Sequence, residues 1–185
     1  INPDEDSPPV ACQALSLPFE KYSLRGLLPQ LEKLSSKQVQ LLPGIALSGQ
    51  AMVIYAAPNT GKTLLVLHLL LDGIRRGVIN SAMLYYINVD DTLSGLRTKR
   101  EIAEEHGFHM LSEGYRDLSA TEFLETLHEV TVSGQANGVV IILDTLKKFA
   151  DLMDKRKAST FSKYIRRFVL QGGTVIALAH TNKNP

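Results

Sequence analysis

The sequence predicts an α/β fold with a mainly parallel sheet and helices on both faces. Three observations predict it. Apolar runs of strand length recur at residues 50–56, 82–89, 139–143 and 174–179. Segments with helical spacing or helix signals lie between them, at 62–76, 93–106, from 119 onward and at 159–170. The runs are also unbroken in hydrophobicity, as strands covered on both faces are. Alternation of this kind implies βαβ crossovers.

In chain order, residues 1–18 hold four prolines and three acidic residues and are expected to form an extended arm. The apolar positions of 19–43 suit one short helix near 28–34, and Pro43-Gly44 reads as a turn. The expected organisation is an N-terminal arm with a short helix at 1–43 and an α/β core at 44–185. After the strand at 50–56 comes a Gly/Pro/Asn loop. The helix from Lys62 is apolar on nearly every side and is expected to be buried. The helix at 93–106 carries mixed charge and is closed by Gly107. Ser119 and Glu122 form a capping box that opens the next helix, which runs through Phe123, Leu124, Leu127 and Val130 to Gly134. The last helix turns Phe161, Ile165, Phe168 and Val169 inward and stops at Gly172-Gly173.

Composition narrows the class. Apolar residues make up 44% and charged residues 21%, values of a globular chain rather than a disordered one. Twenty basic and 19 acidic residues give a net charge of +1, so any electrostatic argument for a polyanionic partner must be local. Cys12 is the sole cysteine, which rules out an intrachain disulfide and fits a reducing, cytoplasmic location. No window reaches the roughly 18 apolar residues that span a bilayer. The N-terminus has no basic region followed by an apolar one, so no secretory signal is expected. The chain lacks an initiator Met and stops directly after an apolar run, so it is expected to be a piece of a longer protein, cut at its C-terminal end.

The sharpest chemical signal is Ala56-Ala57-Pro58-Asn59-Thr60-Gly61-Lys62-Thr63, followed by Leu64. It follows the phosphate-loop pattern G-x-x-x-x-G-K-[ST] except that Ala56 holds the first glycine position. Gly61 lets the backbone turn its N–H groups inward to cradle phosphate oxygens, and the helix start adds its positive dipole end. Lys62 is expected to reach the outer phosphates of ATP, and Thr63 to offer its hydroxyl to Mg²⁺. Ala56 can replace glycine only with a negative φ.

The second signal is the buried run that ends at Asp144. An acid at the carboxyl end of such a strand sits where ligands bind in open α/β sheets, and the pattern is that of a Walker B acid holding Mg²⁺. The plainer role is a cap for the next helix. Thr145 rather than Glu follows it, which argues against the AAA+ pattern. The base that orients water must then lie elsewhere. Asp90, at the end of the second strand, is the first choice; Asp91 is the alternative, and both could simply cap the helix that follows. The third signal is His180, ahead of Thr181, Asn182 and Lys183, which could donate a hydrogen bond to a terminal phosphate.

Together these residues resemble the RecA-like P-loop ATPases, and within them the plasmid RepA-type and DnaB-type hexameric helicase core, over residues 44–185. The resemblance implies a catalytic acid at Asp90, where the family carries the longer Glu. It implies a family arginine at Arg97 and a γ-phosphate sensor at His180. It further implies a homo-oligomeric ring, a hexamer in the family, with active sites between subunits, acting on single-stranded DNA. The arginine finger would lie past residue 185.

Local charge supports a nucleic-acid partner. Residues 145–170 hold eight basic and two acidic residues, a local charge of +6. Lys147, Lys148, Lys155, Arg156 and Lys157 are the expected contacts to a phosphate backbone; the alternative is a solvated helix face. Apart from Phe149, Phe161 and Tyr164 no aromatic interleaving for base stacking is visible there, and the last two fit a packing role, like the inward Phe168. Three functions remain open: ATP hydrolysis coupled to movement on nucleic acid, a RecA-like ATP-binding regulator, and a P-loop small-molecule kinase.

Overall fold

The computed structural model describes residues 17–35, 38–89, 93–149 and 155–181. Two compact units divide the chain at Lys37 and Gln38. In the first, a single 3-10 turn at Glu20–Tyr22 precedes helix α1, Leu28–Ser35. Pro29 sits in the first turn of α1, where a missing N–H costs no helical hydrogen bond.

The second unit opens with an antiparallel hairpin, β1 (Gln40–Leu42) and β2 (Ala46–Leu47), turned at Pro43-Gly44. The hairpin belongs to the core unit: Leu41, Leu42 and Ala46 are buried in it, so this unit starts six residues ahead of the boundary read from sequence. A five-stranded parallel sheet follows, built of β3 (Ala51–Ala56), β4 (Leu84–Asn88), β5 (His109–Ser112), β6 (Val140–Asp144) and β7 (Thr174–His180). Its order is β3-β7-β6-β4-β5. The connecting helices are α2 (Lys62–Arg75), α3 (Leu93–His106), α4 (Ala120–Val132), the single turn α5 (Leu146–Phe149) and α6 (Lys155–Leu170). The chain is therefore α/β, with helices on both faces of a parallel sheet.

Strand parity decides which face each residue serves. Even-numbered residues (Ile54, Tyr86, Ile142, Ile176, Leu178) pack with Val66, Leu67 and Leu70 of α2 and Ala103 of α3. Odd-numbered residues (Ile87, Ile141, Leu143, Val175, Ala177) pack with Phe123 and Leu127 of α4 and Ile165 and Phe168 of α6. The inner strands β4, β6 and β7 thus bury both sides, which explains why their sequences show no alternation, whereas edge strand β3 leaves Val53 and Tyr55 exposed on its odd face. At the carboxyl edge the even row turns polar, ending in Asn88, Ser112, Asp144 and His180. The edge also holds the switch in direction. From β4 the chain moves outward to β5, and from β6 it moves the other way to β7. Asn88 and Asp144 are register partners across that switch, where α/β sheets open a crevice.

Two expectations need correction. Helix α2 is not buried all round: Leu64 is 72% exposed and Leu65 is also exposed, because the helix packs on the core through Val66, Leu67, Leu70 and Gly73, with Leu69, Leu71 and Ile74 partly buried beside them. The α6 helix begins at Lys155, four residues earlier than its apolar spacing suggested, since its first turn is basic and carries no apolar signal. The short strand β5 went unread because it is an edge strand of four residues, stacked through His109 on Tyr85. At the end of α6, Gly173 is required by close approach, since a Cβ there would run into the Phe168 ring. Among the described residues no helix is long and apolar enough to cross a membrane.

Candidate active site

The loop after β3 is built for its turn. Asn59 has φ 60°, and Gly61, the residue before α2, has φ +82°. A Cβ on Gly61 would meet no atom within 4 Å, so glycine is needed there for backbone conformation and not for space. Ala56 is not among the residues with positive φ, which is why alanine can stand at the first position of the motif. Thr60 Oγ1 donates to Ala57 O at 2.8 Å and closes the loop on itself.

A cleft of about 520 Å³ opens at this edge of the sheet. It is lined by Asn59, Thr60, Gly61, Lys62, Thr63 and Leu64 from the loop and the helix start, and by Asp144, Thr145 and His180 from the strand ends. The fold thus brings Lys62, Thr63, Asp144 and His180 to one place from positions far apart in sequence. Ala57 and Pro58 are exposed and do not line it.

Two polar groups of side chains hold the cleft. In one, Lys62 is buried and its Nζ lies 2.9 Å from His180 Nδ1. An ammonium only donates, so Nδ1 of His180 accepts. In the other, the Oδ2 atom of Asp144 accepts from three side chains: Tyr86 OH at 2.6 Å, Lys99 Nζ at 3.0 Å and Thr63 Oγ1 at 3.2 Å. The side chains of Lys99 and Asp144 are only 12% and 6% exposed. Parity accounts for the meeting: Tyr86 and Asp144 are both even-numbered and face α2 and α3. Asn88 lies beside them, buried, with Oδ1 lacking a partner among the described residues.

Tyr86 and Lys99 were not foreseen. The sequence carried a signal for Lys99: it occupies the inward stripe of α3 with Leu96, Ile102 and Ala103, where a cation needs a buried partner. Arg97, the residue the resemblance suggested, faces solvent at 82% side-chain exposure and pairs with Glu101 at 2.9 Å. Asp90 and Asp91 lie outside the described residues, as do Asn182 and Lys183.

The basic segment divides. Lys147 and Lys148 are exposed on α5, Lys148 lying 3.9 Å from Glu113. Arg156 and Lys157 are exposed in the first turn of α6, and the Lys155 side chain lies outside the described residues. Phe149 is buried edge-on against Phe123 at 5.1 Å, and Phe161 and Tyr164 pack on the same core, so these rings serve packing.

A second cavity, of about 510 Å³, lies on the odd face beneath α4. Its walls are mainly apolar, including Met83, Tyr85, Ile87, Leu111, Phe123 and Leu127. It gathers no charged side chain, whereas the cleft at the strand ends gathers a lysine, a carboxylate, a hydroxyl and an imidazole. The strand-end cleft is therefore the candidate site.

No family model matches the chain, and no curated protein sequence matches it.

Proposed function

We propose that the chain is a RecA-like P-loop ATPase, in which Mg-dependent ATP binding and hydrolysis are coupled to movement on or remodelling of nucleic acid. The observation that carries the reading is the convergence of Lys62, Thr63, Asp144 and His180 around one cleft, behind a left-handed Gly61 at a helix start. Backbone N–H groups of the loop and the first turn of α2 would cradle the phosphates. Lys62 would leave His180 to hold the outer phosphates, and His180 would then be placed to bond the terminal one.

The donor set fits Mg²⁺. Thr63 Oγ1 and Asp144 Oδ2 are hard oxygen atoms 3.2 Å apart. No cluster of three His, Cys, Asp or Glu side chains occurs among the described residues. One hydroxyl and one carboxylate leave most coordination positions to water and phosphate, as Mg²⁺ prefers. When bound, the ion supplies neutralisation of charge on the phosphates. Asp90 is the proposed base, and single-stranded DNA the proposed nucleic acid, met by Lys147, Lys148, Lys155, Arg156 and Lys157 in a homo-oligomeric ring.

The test compares the parent with Lys62→Ala for ATP-analogue binding and for ATP hydrolysis with and without single-stranded DNA. The parent is expected to bind and to turn over faster with DNA. Lys62→Ala is expected to fold and to lose about 10²-fold or more in turnover, through loss of the cation nearest the transferred phosphate. Parental turnover by Lys62→Ala removes the phosphate-loop reading. Nucleotide binding without DNA stimulation favours the regulator, and a phosphorylated small-molecule product favours the kinase.

A further inference from the structure

We infer that Lys99 is a resident counter-ion of Asp144, which neutralises the acid in the metal-free protein and is exchanged when a divalent cation binds. The inference rests on the reading of the cleft as a Mg·nucleotide site and adds a control on its metal affinity.

Lys99 Nζ lies 3.0 Å from Asp144 Oδ2, and both side chains are nearly buried. A buried carboxylate without a partner is costly, and the ammonium removes that cost. The same ammonium lies 5.4 Å from the centroid of the Tyr86 ring, so the aromatic face also favours a cation there. The exchange follows from crowding at one atom. Oδ2 already receives Tyr86, Thr63 and Lys99, more donors than the two or so lone-pair sites of one carboxylate oxygen accommodate at full strength. A cation that takes Oδ2 must displace at least one of them. Lys99 is the only one of the three that is charged, so it is the one a cation repels. Its four-carbon stem lets the ammonium withdraw without moving α3.

Arg97 and Arg100, on the same helix, are spent on Glu101 and Glu104 at the surface. Lys99 is the α3 cation that the fold turns onto the acid. A merely structural lysine would stabilise the fold and leave metal affinity alone or support it. A counter-ion lowers metal affinity, and its removal raises it.

The test measures Mn²⁺ binding by electron paramagnetic resonance, with a non-hydrolysable ATP analogue, on the full chain. Parent, Lys99→Met, Lys99→Gln, Lys99→Arg and Lys62→Ala are compared. Lys99→Gln keeps a hydrogen-bond donor without the charge and serves if the Met variant folds poorly. Both neutral variants are expected to bind Mn²⁺ at least about tenfold more tightly, and Lys99→Arg like the parent. In EDTA the neutral variants are expected to melt below the parent, with the gap closing as Mn²⁺ is added. Equal or weaker Mn²⁺ binding by both neutral variants overturns the inference. If parental binding is present and sensitive to Lys62→Ala, that result leaves the nucleotide reading standing. If no variant binds Mn²⁺ with the analogue, the inference and the nucleotide reading fall together.

Discussion

The two ends of the cleft are held in different ways. At β3 and β7, Lys62 meets His180 in a single contact, with His180 exposed. At β6 and β4, Asp144 is buried under three donors from α2, α3 and β4. The first contact has one buried and one exposed partner, Lys62 and His180, so water can take the place of the imidazole when it moves away. The second is a closed network, in which each partner left alone is a buried polar group. The difference teaches that motif residues can be poised to different degrees within one site. Lys62 is ready to exchange partners, whereas Asp144 is secured and must be released.

The largest effect should come from breaking the closed end. Asp144→Ala removes the acceptor shared by Tyr86, Thr63 and Lys99, breaking a nearly buried ion pair, and should cost about 3–5 kcal/mol, read from urea denaturation. A loss no larger than that of a surface substitution would mean that the donors on Asp144 are satisfied without it. Next is Tyr86→Phe, which removes the 2.6 Å hydrogen bond to the carboxylate and keeps the ring. It should cost about 1.5–3 kcal/mol, the range for a bond to a charged group, by the same measurement. The smallest effect belongs to the open end. His180→Ala removes the exposed acceptor of Lys62, whose place water can fill, and should cost less than Tyr86→Phe in the absence of nucleotide, by the same measurement. If His180→Ala destabilised as much as Tyr86→Phe, the contrast between the two ends would fail.

The comparison also shows what kind of information each residue carried. The loop before α2 was legible because it is local: its turn, its glycine and its lysine are neighbours in sequence. Gly61 carries the positive φ that the motif requires, and Ala56 avoids one. Asp144 was legible because a buried run ending in an acid marks a strand end. The Ser119 cap was equally local, its hydroxyl accepting from the Glu122 N–H at 3.1 Å. Tyr86 was hidden, since a tyrosine inside an apolar strand reads as core until the sheet register places it beside Asp144.

By itself, then, the sequence determined the α/β class, the strand–loop–helix at Lys62, the acid at the end of β6 and most helix boundaries. These depend on periodicity, capping and turn chemistry, which act between near neighbours. Only the tertiary structure decided the strand order, the inclusion of the β1–β2 hairpin in the core, the exposed side of α2, and the choice of Lys99 over Arg97 as the cation on Asp144. Those outcomes depend on which face each residue presents and on what packs against it. Two residues apart on a helix, Arg97 points to water and Lys99 to the sheet, because 3.6 residues per turn separate them by more than half a rotation.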